Sequence, residues 1–168
     1  MFLLLVRHAI AEDRVTFARS GAEDRERPLS AEGRKKMRRV AAALRDLVQD
    51  ADLLAASPLR RSLQTAQMLA AAFDLAPVPC PALAPDEPAE EFLRWLRSQR
   101  SARSVIAVGH EPGLSQLAAF ALSGRRQPFF SLKKAGACYL EFPKQWRSGG
   151  ATLHWLLAPA QLRGLAND

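Results

Sequence analysis

The sequence predicts an α/β fold, a three-layer sandwich in which a mostly parallel mixed sheet is flanked by helices. Three observations predict it. The apolar runs Phe2 to Val6, Asp52 to Ala56 and Ser104 to Val108 are too short for buried helices. Their apolar character on both faces suits interior strands of a parallel sheet. Longer segments with helical spacing separate them, and strands alternating with helices indicate layered strand and helix units.

Taken in order, Phe2 to Val6 is the first strand. From Ile10 to Pro28 acids and arginines mix, with Gly21 as a breaker, so a surface loop able to cover a site is predicted. Ser30 is placed to cap a helix reaching about Gln49, because Met37, Val40, Ala41, Leu44, Leu47 and Val48 repeat at helical spacing. After the second strand, Ser57-Pro58 puts proline where the first turn of a helix accepts it, and Leu59, Leu63, Ala66, Ala70 and Phe73 form one stripe. Prolines between Pro77 and Pro88 forbid regular structure over much of that stretch. Glu90 to Arg100 resumes as a short helix burying Phe92, Leu93, Trp95 and Leu96. The third strand ends at Gly109-His110, and Gly113 to Leu122 reads as the next helix. Ala137 to Phe142 and Ala151 to Leu157 read as two strands separated by a Gly149-Gly150 turn.

The chain has 168 residues, a length expected to form a single domain, residues 1–168, that buries roughly 70% of its unfolded surface. A composition 48% hydrophobic and 24% charged places it among globular rather than disordered or fibrous chains. Cys80 and Cys138 match neither a disulfide scaffold nor a metal-ligand spacing and are expected to be free, buried thiols. No basic residue precedes the first apolar run, and Arg7-His8 interrupts it short of a signal or spanning length. Neither export nor a membrane is predicted, and the cytoplasm is the expected location. The formal net charge of +7 attracts anions in general and does not choose among phosphoesters, acidic proteins and nucleic acid. The dense run Arg34-Lys35-Lys36-Met37-Arg38-Arg39 also forms the outer face of the amphipathic helix, so it is read as a solvated face.

In parallel sheets ligands sit outside the carboxyl ends of the strands. Three apolar runs end in polar clusters: Arg7-His8, Ser57 through Arg60-Arg61, and Gly109-His110-Glu111. The clusters are predicted to converge at one edge. An unperturbed imidazole titrates near pH 6.5, so one neutral ring can attack phosphorus while a second, protonated, stabilises phosphoryl oxygens. Guanidiniums grip two phosphate oxygens through a planar fork, and fixed positive donors are what phosphoryl transfer requires. Arg7, Arg60 and His110 form that set, with His8 as the attacking group. A two-histidine, one-carboxylate metal site using His8, His110 and Glu111 or Asp13 fares worse, because two arginines at the same edge repel a dication.

The segment Leu5-Val6-Arg7-His8-Ala9 resembles the signature of the histidine phosphatase superfamily, whose fold is phosphoglycerate mutase-like. Ala9 stands where Arg-His-Gly is usual, and Leu5 to Glu12 resembles the SixA-type phosphohistidine phosphatase branch. Arg27-Pro28-Leu29-Ser30 with Gly33, Ser57 to Ala66, and Val108 to Pro112 follow in the family's order, so the resemblance spans roughly residues 1 to 160. It implies that His8 is the nucleophile and becomes transiently phosphorylated, that Arg7, Arg60 and His110 bind the phosphoryl group, and that water hydrolyses the intermediate. It implies no cofactor and no metal. Arg61, about 100° from Arg60 around a helix, is then expected to be a surface charge.

A proton donor is needed for a poor leaving group such as an alkoxide, less so for a phosphoramidate nitrogen. Asp86 and Glu87 occupy the mid-chain place where larger relatives supply it; solvated surface roles are expected for both, and likewise for Glu12 and Glu111. The expected substrate is a phosphorylated protein histidine. The alternatives are a small phosphorylated metabolite or polyphosphate and, from another class, a non-enzymatic anion-binding or nucleic-acid-binding module using Arg34 to Arg39. Neither a specific nucleic acid nor a membrane is an expected partner.

Overall fold

A computed structural model describes residues 1–48, 50–145 and 147–166. Six strands form one sheet in the order β3-β2-β4-β1-β5-β6: β1 (Phe2–Arg7), β2 (Leu53–Ala56), β3 (Pro77–Pro79), β4 (Ser104–Gly109), β5 (Ala137–Glu141) and β6 (Thr152–Leu157). The pairs β1/β4, β2/β4 and β2/β3 are parallel, while β5 pairs antiparallel with both β1 and β6. Only β5 therefore runs against the rest. The helices are α1 (Arg14–Ala18), α2 (Ala31–Leu47), α3 (Arg60–Phe73), α4 (Ala89–Ser98), α5 (Gly113–Ser123) and α6 (Pro159–Leu165).

Alternation along the central strands divides the core. Leu4, Val6, Leu54, Ala56, Ile106 and Val108 pack with Met37, Val40 and Leu44 of α2, Ala66, Leu69 and Phe73 of α3, and Leu162 of α6. Leu3, Leu5, Ala55, Val105 and Ala107 face the other way onto Phe92, Leu93 and Leu96 of α4 and Leu114, Leu117 and Ala118 of α5. Successive side chains of a strand point to opposite faces, so a strand apolar on both is sandwiched between two helical layers. The fold is the three-layer α/β sandwich that the sequence predicts.

Ser30 caps α2 by accepting the Gly33 N–H at 3.0 Å. Gly33 is obligatory for a different reason: a Cβ there would lie 2.0 Å from the Ile10 carbonyl oxygen. The helix ends at Leu47, which is 39% exposed, and Gln49, the predicted end, lies outside the described residues. Gly124 closes α5 at φ +75°, the left-handed conformation that glycine adopts without steric cost.

Several local expectations are corrected. The 10–28 loop contains α1 and a 3-10 turn at Asp24–Glu26, since Asp13 caps α1 by accepting the Thr16 N–H at 2.8 Å. Pro58 precedes α3 rather than opening it: Leu59 is the extended cap residue and the helix begins at Arg60. The buried residues of that helix are Arg61, Ser62, Thr65, Ala66, Leu69 and Phe73, so its inner face is rotated from the predicted stripe. The proline-rich stretch is more regular than expected, with β3 and a 3-10 turn at Pro81–Leu83. Proline is tolerated in β3 because the strand lies at the sheet edge. Trp95 is half-buried. Ten residues link β5 to β6, with Gly149 in the predicted turn at φ +72°, and α6 follows where no helix was predicted. Cys80 and Cys138 are free and buried, and burial pushes the Cys138 thiol up to about 12. Among the described residues no helix is long and apolar enough to cross a membrane.

Candidate active site

Register creates the site. Arg7 of β1 pairs with Gly109 of β4, and Ala56 of β2 pairs with Val108, so His8, Ser57 and His110 leave three neighbouring parallel strands at one level. The His8 N–H donates to the Gly109 carbonyl at 3.0 Å, and the Ser57 N–H donates to the Val108 carbonyl at 2.9 Å, carrying the ladder one residue beyond the strands. Parallel neighbours lie under 5 Å apart. Accordingly the His8 and His110 rings stand with centroids 4.9 Å apart and planes inclined by 54°.

His8 is 6% exposed, and its Nδ1 lies 2.7 Å from the Ala9 carbonyl oxygen. A carbonyl only accepts, so this contact assigns the hydrogen to Nδ1 and leaves the lone pair on Nε2. Ala9 is itself pinned, because its N–H donates to Thr65 Oγ1 at 3.0 Å while that hydroxyl donates to the Arg61 carbonyl at 2.7 Å. His110 is 5% exposed, with Nε2 held between Ser57 Oγ at 2.9 Å and Ser62 Oγ at 3.0 Å. Burial pushes both imidazoles down to about 3. Arg61, Arg7 and Lys134 add to the effect on His8, and His8, Arg61 and Arg7 to that on His110. Both rings are therefore neutral near pH 7 in the ligand-free protein, whereas the chemistry read from sequence had the second ring protonated.

Two arginines share one arrangement. Arg7 Nη1 donates to the Leu132 carbonyl at 2.7 Å, and Arg61 Nη1 donates to the Asp24 carbonyl at 3.0 Å with Asp24 Oδ2 at 3.3 Å. In both, Nε is buried and has no hydrogen-bond partner. An unpaired buried donor costs on the order of 1–3 kcal/mol, and more when charged. Each guanidinium is thus anchored through one end and has an unused donor on the edge that Nε shares with Nη2, the edge suited to bidentate grip of an oxyanion.

The family description "Histidine phosphatase superfamily (branch 1)" matches residues 3–84. An uncharacterized protein of Picosynechococcus sp. is 37% identical over 157 residues, covering 91% of this chain and 88% of that protein. The chain belongs to the histidine phosphatase superfamily. Solved structures of the same fold include the protein histidine phosphatase SixA complexed with tungstate, with a TM-score of 0.80, 23% identity, and 96% and 99% of the two chains covered. A putative alpha-ribazole-5'-P phosphatase from Escherichia coli aligns with a TM-score of 0.76, 18% identity and coverage of 95% and 98%. A mycobacterial glucosyl-3-phosphoglycerate phosphatase aligns with a TM-score of 0.70, 16% identity and coverage of 94% and 99%. As a member of the histidine phosphatase superfamily, the chain is a phosphatase.

Of the residues that the superfamily resemblance singled out, Arg7, His8 and His110 come together. Arg60 does not join them. It is exposed and its Nη1 reaches the Glu26 carbonyl at 3.4 Å, whereas Arg61, 5% exposed, acts on both histidines. The 100° separation of the two arginines holds, but α3 turns the second one inward. Its signal lay in the sequence: Arg61, Ser62, Thr65, Ala66, Leu69 and Phe73 share a helical face. The predicted stripe followed apolar residues, and this helix buries its polar ones. Asp24 has no part in the sequence reading, and Ser57, Ser62 and Thr65 enter it only within the segment Ser57 to Ala66, with no role of their own, because the groups they hold at the site, His110 and Ala9, are distant in sequence.

Asp86 and Glu87 are both exposed. Glu87 nevertheless lines a narrow cleft of about 10 Å³ together with His110, Leu83, Phe92 and Leu114. Glu12 is exposed, and Asp13 is occupied in capping α1. Glu111 is structural: Oε1 accepts the Leu132 N–H at 2.9 Å and Oε2 accepts the Ser115 hydroxyl at 2.5 Å. Among the described residues, no three His, Cys, Asp or Glu side chains are grouped to hold a metal ion.

Proposed function

We propose that this phosphatase removes phosphate from a phosphorylated protein histidine through a covalent intermediate on His8. The observation that carries the reading is the fixed tautomer of His8. With Nδ1–H held by the Ala9 carbonyl, Nε2 offers its lone pair beside His110 and two arginines with unused Nε–H donors.

Nε2 attacks phosphorus, a new P–N bond forms, and the bond to the substrate imidazole breaks; the leaving nitrogen takes up a proton. An imidazole accepts a proton near neutrality, so this departure requires no strong acid. Arg7 and Arg61 neutralise the equatorial oxygens through their Nε edges. With its Nε2 accepting a hydrogen bond from the Ser57 or Ser62 hydroxyl, His110 carries its hydrogen on Nδ1 and donates to the phosphoryl group while uncharged. Water then attacks the phosphorylated His8, releasing inorganic phosphate and restoring Nε2.

The resemblance of Leu5 to Glu12 to the SixA-type branch supports a phosphohistidine substrate. One observation favours a second reading, hydrolysis of a small phosphomonoester: Glu87 lines the same cleft as His110, and an alkoxide leaving group needs a carboxylic acid of that kind.

The deciding experiment compares a phosphorylated histidine-containing protein, phosphoramidate and sugar phosphates as substrates of wild type, His8→Ala and Glu87→Gln, with intact-mass analysis of a quench that avoids acid. Loss of turnover in His8→Ala, a labile phosphoryl adduct on wild-type His8 and indifference to Glu87→Gln support the proposal. Preference for sugar phosphates with strong dependence on Glu87 establishes the second reading instead.

A further inference from the structure

We propose that Asp24 is a positioning residue that aims the Arg61 guanidinium, which makes the 11–28 segment part of the phosphoryl-binding apparatus. The proposal rests on the reading above that Arg61 binds the phosphoryl group.

A guanidinium is rigid and planar, so fixing one nitrogen together with the side-chain stem fixes the direction of the remaining edge. Asp24 fixes Arg61 Nη1 twice, through its main-chain carbonyl at 3.0 Å and through Oδ2 at 3.3 Å. What remains is the edge carrying the buried, unpartnered Nε.

Asp24 is itself braced. Its Oδ1 accepts Arg27 Nε at 2.8 Å, and Arg27, 9% exposed, donates through Nη1 to the Glu12 carbonyl at 2.9 Å. Restraint thus passes from the Glu12 main chain through Arg27 and Asp24 to Arg61. Arg14 also approaches Oδ1, at 3.6 Å, but its side chain is 78% exposed and its contribution is screened.

The sign of the charge makes the proposal decisive. A carboxylate beside an anion site repels the ligand, so as a mere local charge Asp24 would oppose binding. Removing it would then tighten binding of phosphate. A positioning role predicts the reverse, because Asn has one acceptor oxygen and cannot accept from both Arg61 and Arg27: its amide donor faces one of the two guanidiniums and breaks the brace.

The test measures inhibition constants for inorganic phosphate and vanadate, and kcat/KM with phosphoramidate, in wild type, Asp24→Asn, Arg61→Ala and the double variant. Glu23→Gln, which removes an equal charge from a residue exposed on the same segment, is the control. Thermal unfolding verifies the fold of each. Asp24→Asn is expected to weaken phosphate binding and kcat/KM about tenfold, the scale of a lost charged hydrogen bond. Glu23→Gln leaves both unchanged or slightly tighter. In the Arg61→Ala background the Asp24→Asn effect shrinks to about twofold or reverses, since only residues acting through one another depart so far from additivity.

Tighter or unchanged phosphate binding in Asp24→Asn overturns the proposal, as does a full tenfold loss that persists without Arg61. Arg61→Ala with wild-type turnover takes down the phosphoryl-site reading and this proposal together. Should Asp24→Asn fail to fold, Arg27→Gln replaces it, with a smaller loss expected and the same dependence on Arg61.

Discussion

His8 and His110 stand immediately beyond one rung of the parallel β1/β4 ladder, Arg7 paired with Gly109, and this adjacency brings their rings to a 4.9 Å centroid separation. Burial holds each imidazole down to about 3, and the neighbouring arginines add to the effect.

That shared depression contributes to the loss of stability in acid. The rings titrate about 3 when folded and near 6.5 when unfolded, so both states are neutral above pH 6.5. As pH falls from 6.5 toward 3 the unfolded chain takes up protons that the native protein refuses. Stability therefore drops on acidification, by up to about 1.4 kcal/mol per pH unit for each ring. Urea unfolding between pH 7 and 4 measures this, and His8→Asn is expected to flatten the slope by one ring's share. Parallel curves for variant and wild type refute the assignment.

The two arginines of α3 are expected to separate sharply in kinetics. Arg60→Ala should leave kcat/KM with phosphoramidate within about threefold of wild type, since an exposed charge contributes little. Arg61→Ala should lower it by about a hundredfold or more, the scale of losing a fixed donor to a transition-state anion. Equal effects, or the reverse order, return Arg60 to the site.

Glu111 supports Arg7 at one remove, because it holds the Leu132 N–H while the Leu132 carbonyl receives Arg7 Nη1. Glu111→Ala strips a main-chain donor and the Ser115 hydroxyl of their acceptor and should cost about 1–3 kcal/mol in denaturant unfolding. Phosphate inhibition should weaken in step. A variant as stable as wild type shows that the contact carries no load.

Gly33→Ala places a methyl group 2.0 Å from the Ile10 carbonyl oxygen, which also accepts the Ser30 N–H at 3.0 Å. Main chain cannot yield as a flexible side-chain end does, so about 1–3 kcal/mol of destabilisation is expected from this overpacking. Thermal unfolding tests it, and an unchanged melting temperature means that α2 and the Ile10 segment slide apart freely.

The central strands β1, β2 and β4 were legible because each is apolar on both faces, a signal that periodicity reports directly. His8 and His110 were legible for the same reason: each follows a strand whose end is visible in the sequence. The choice between Arg60 and Arg61 was not, because it turns on where α3 begins. Pro58 suggested an earlier start, and an apolar stripe suggested the wrong inner face. The short β3 and α6 were hidden by prolines, which punctuate sequence without excluding an edge strand or a helix start.

By itself the sequence determined the layered α/β class, the superfamily and the two histidines at strand ends, because burial pattern and local motif are properties of neighbouring residues. Tertiary structure alone decided the electrostatics: which guanidinium turns inward, how closely the His8 and His110 rings stand, and that Asp24, thirty-seven positions from Arg61, holds its Nη1. Those depend on distances between segments remote along the chain, and such distances exist only once the sheet has set its register.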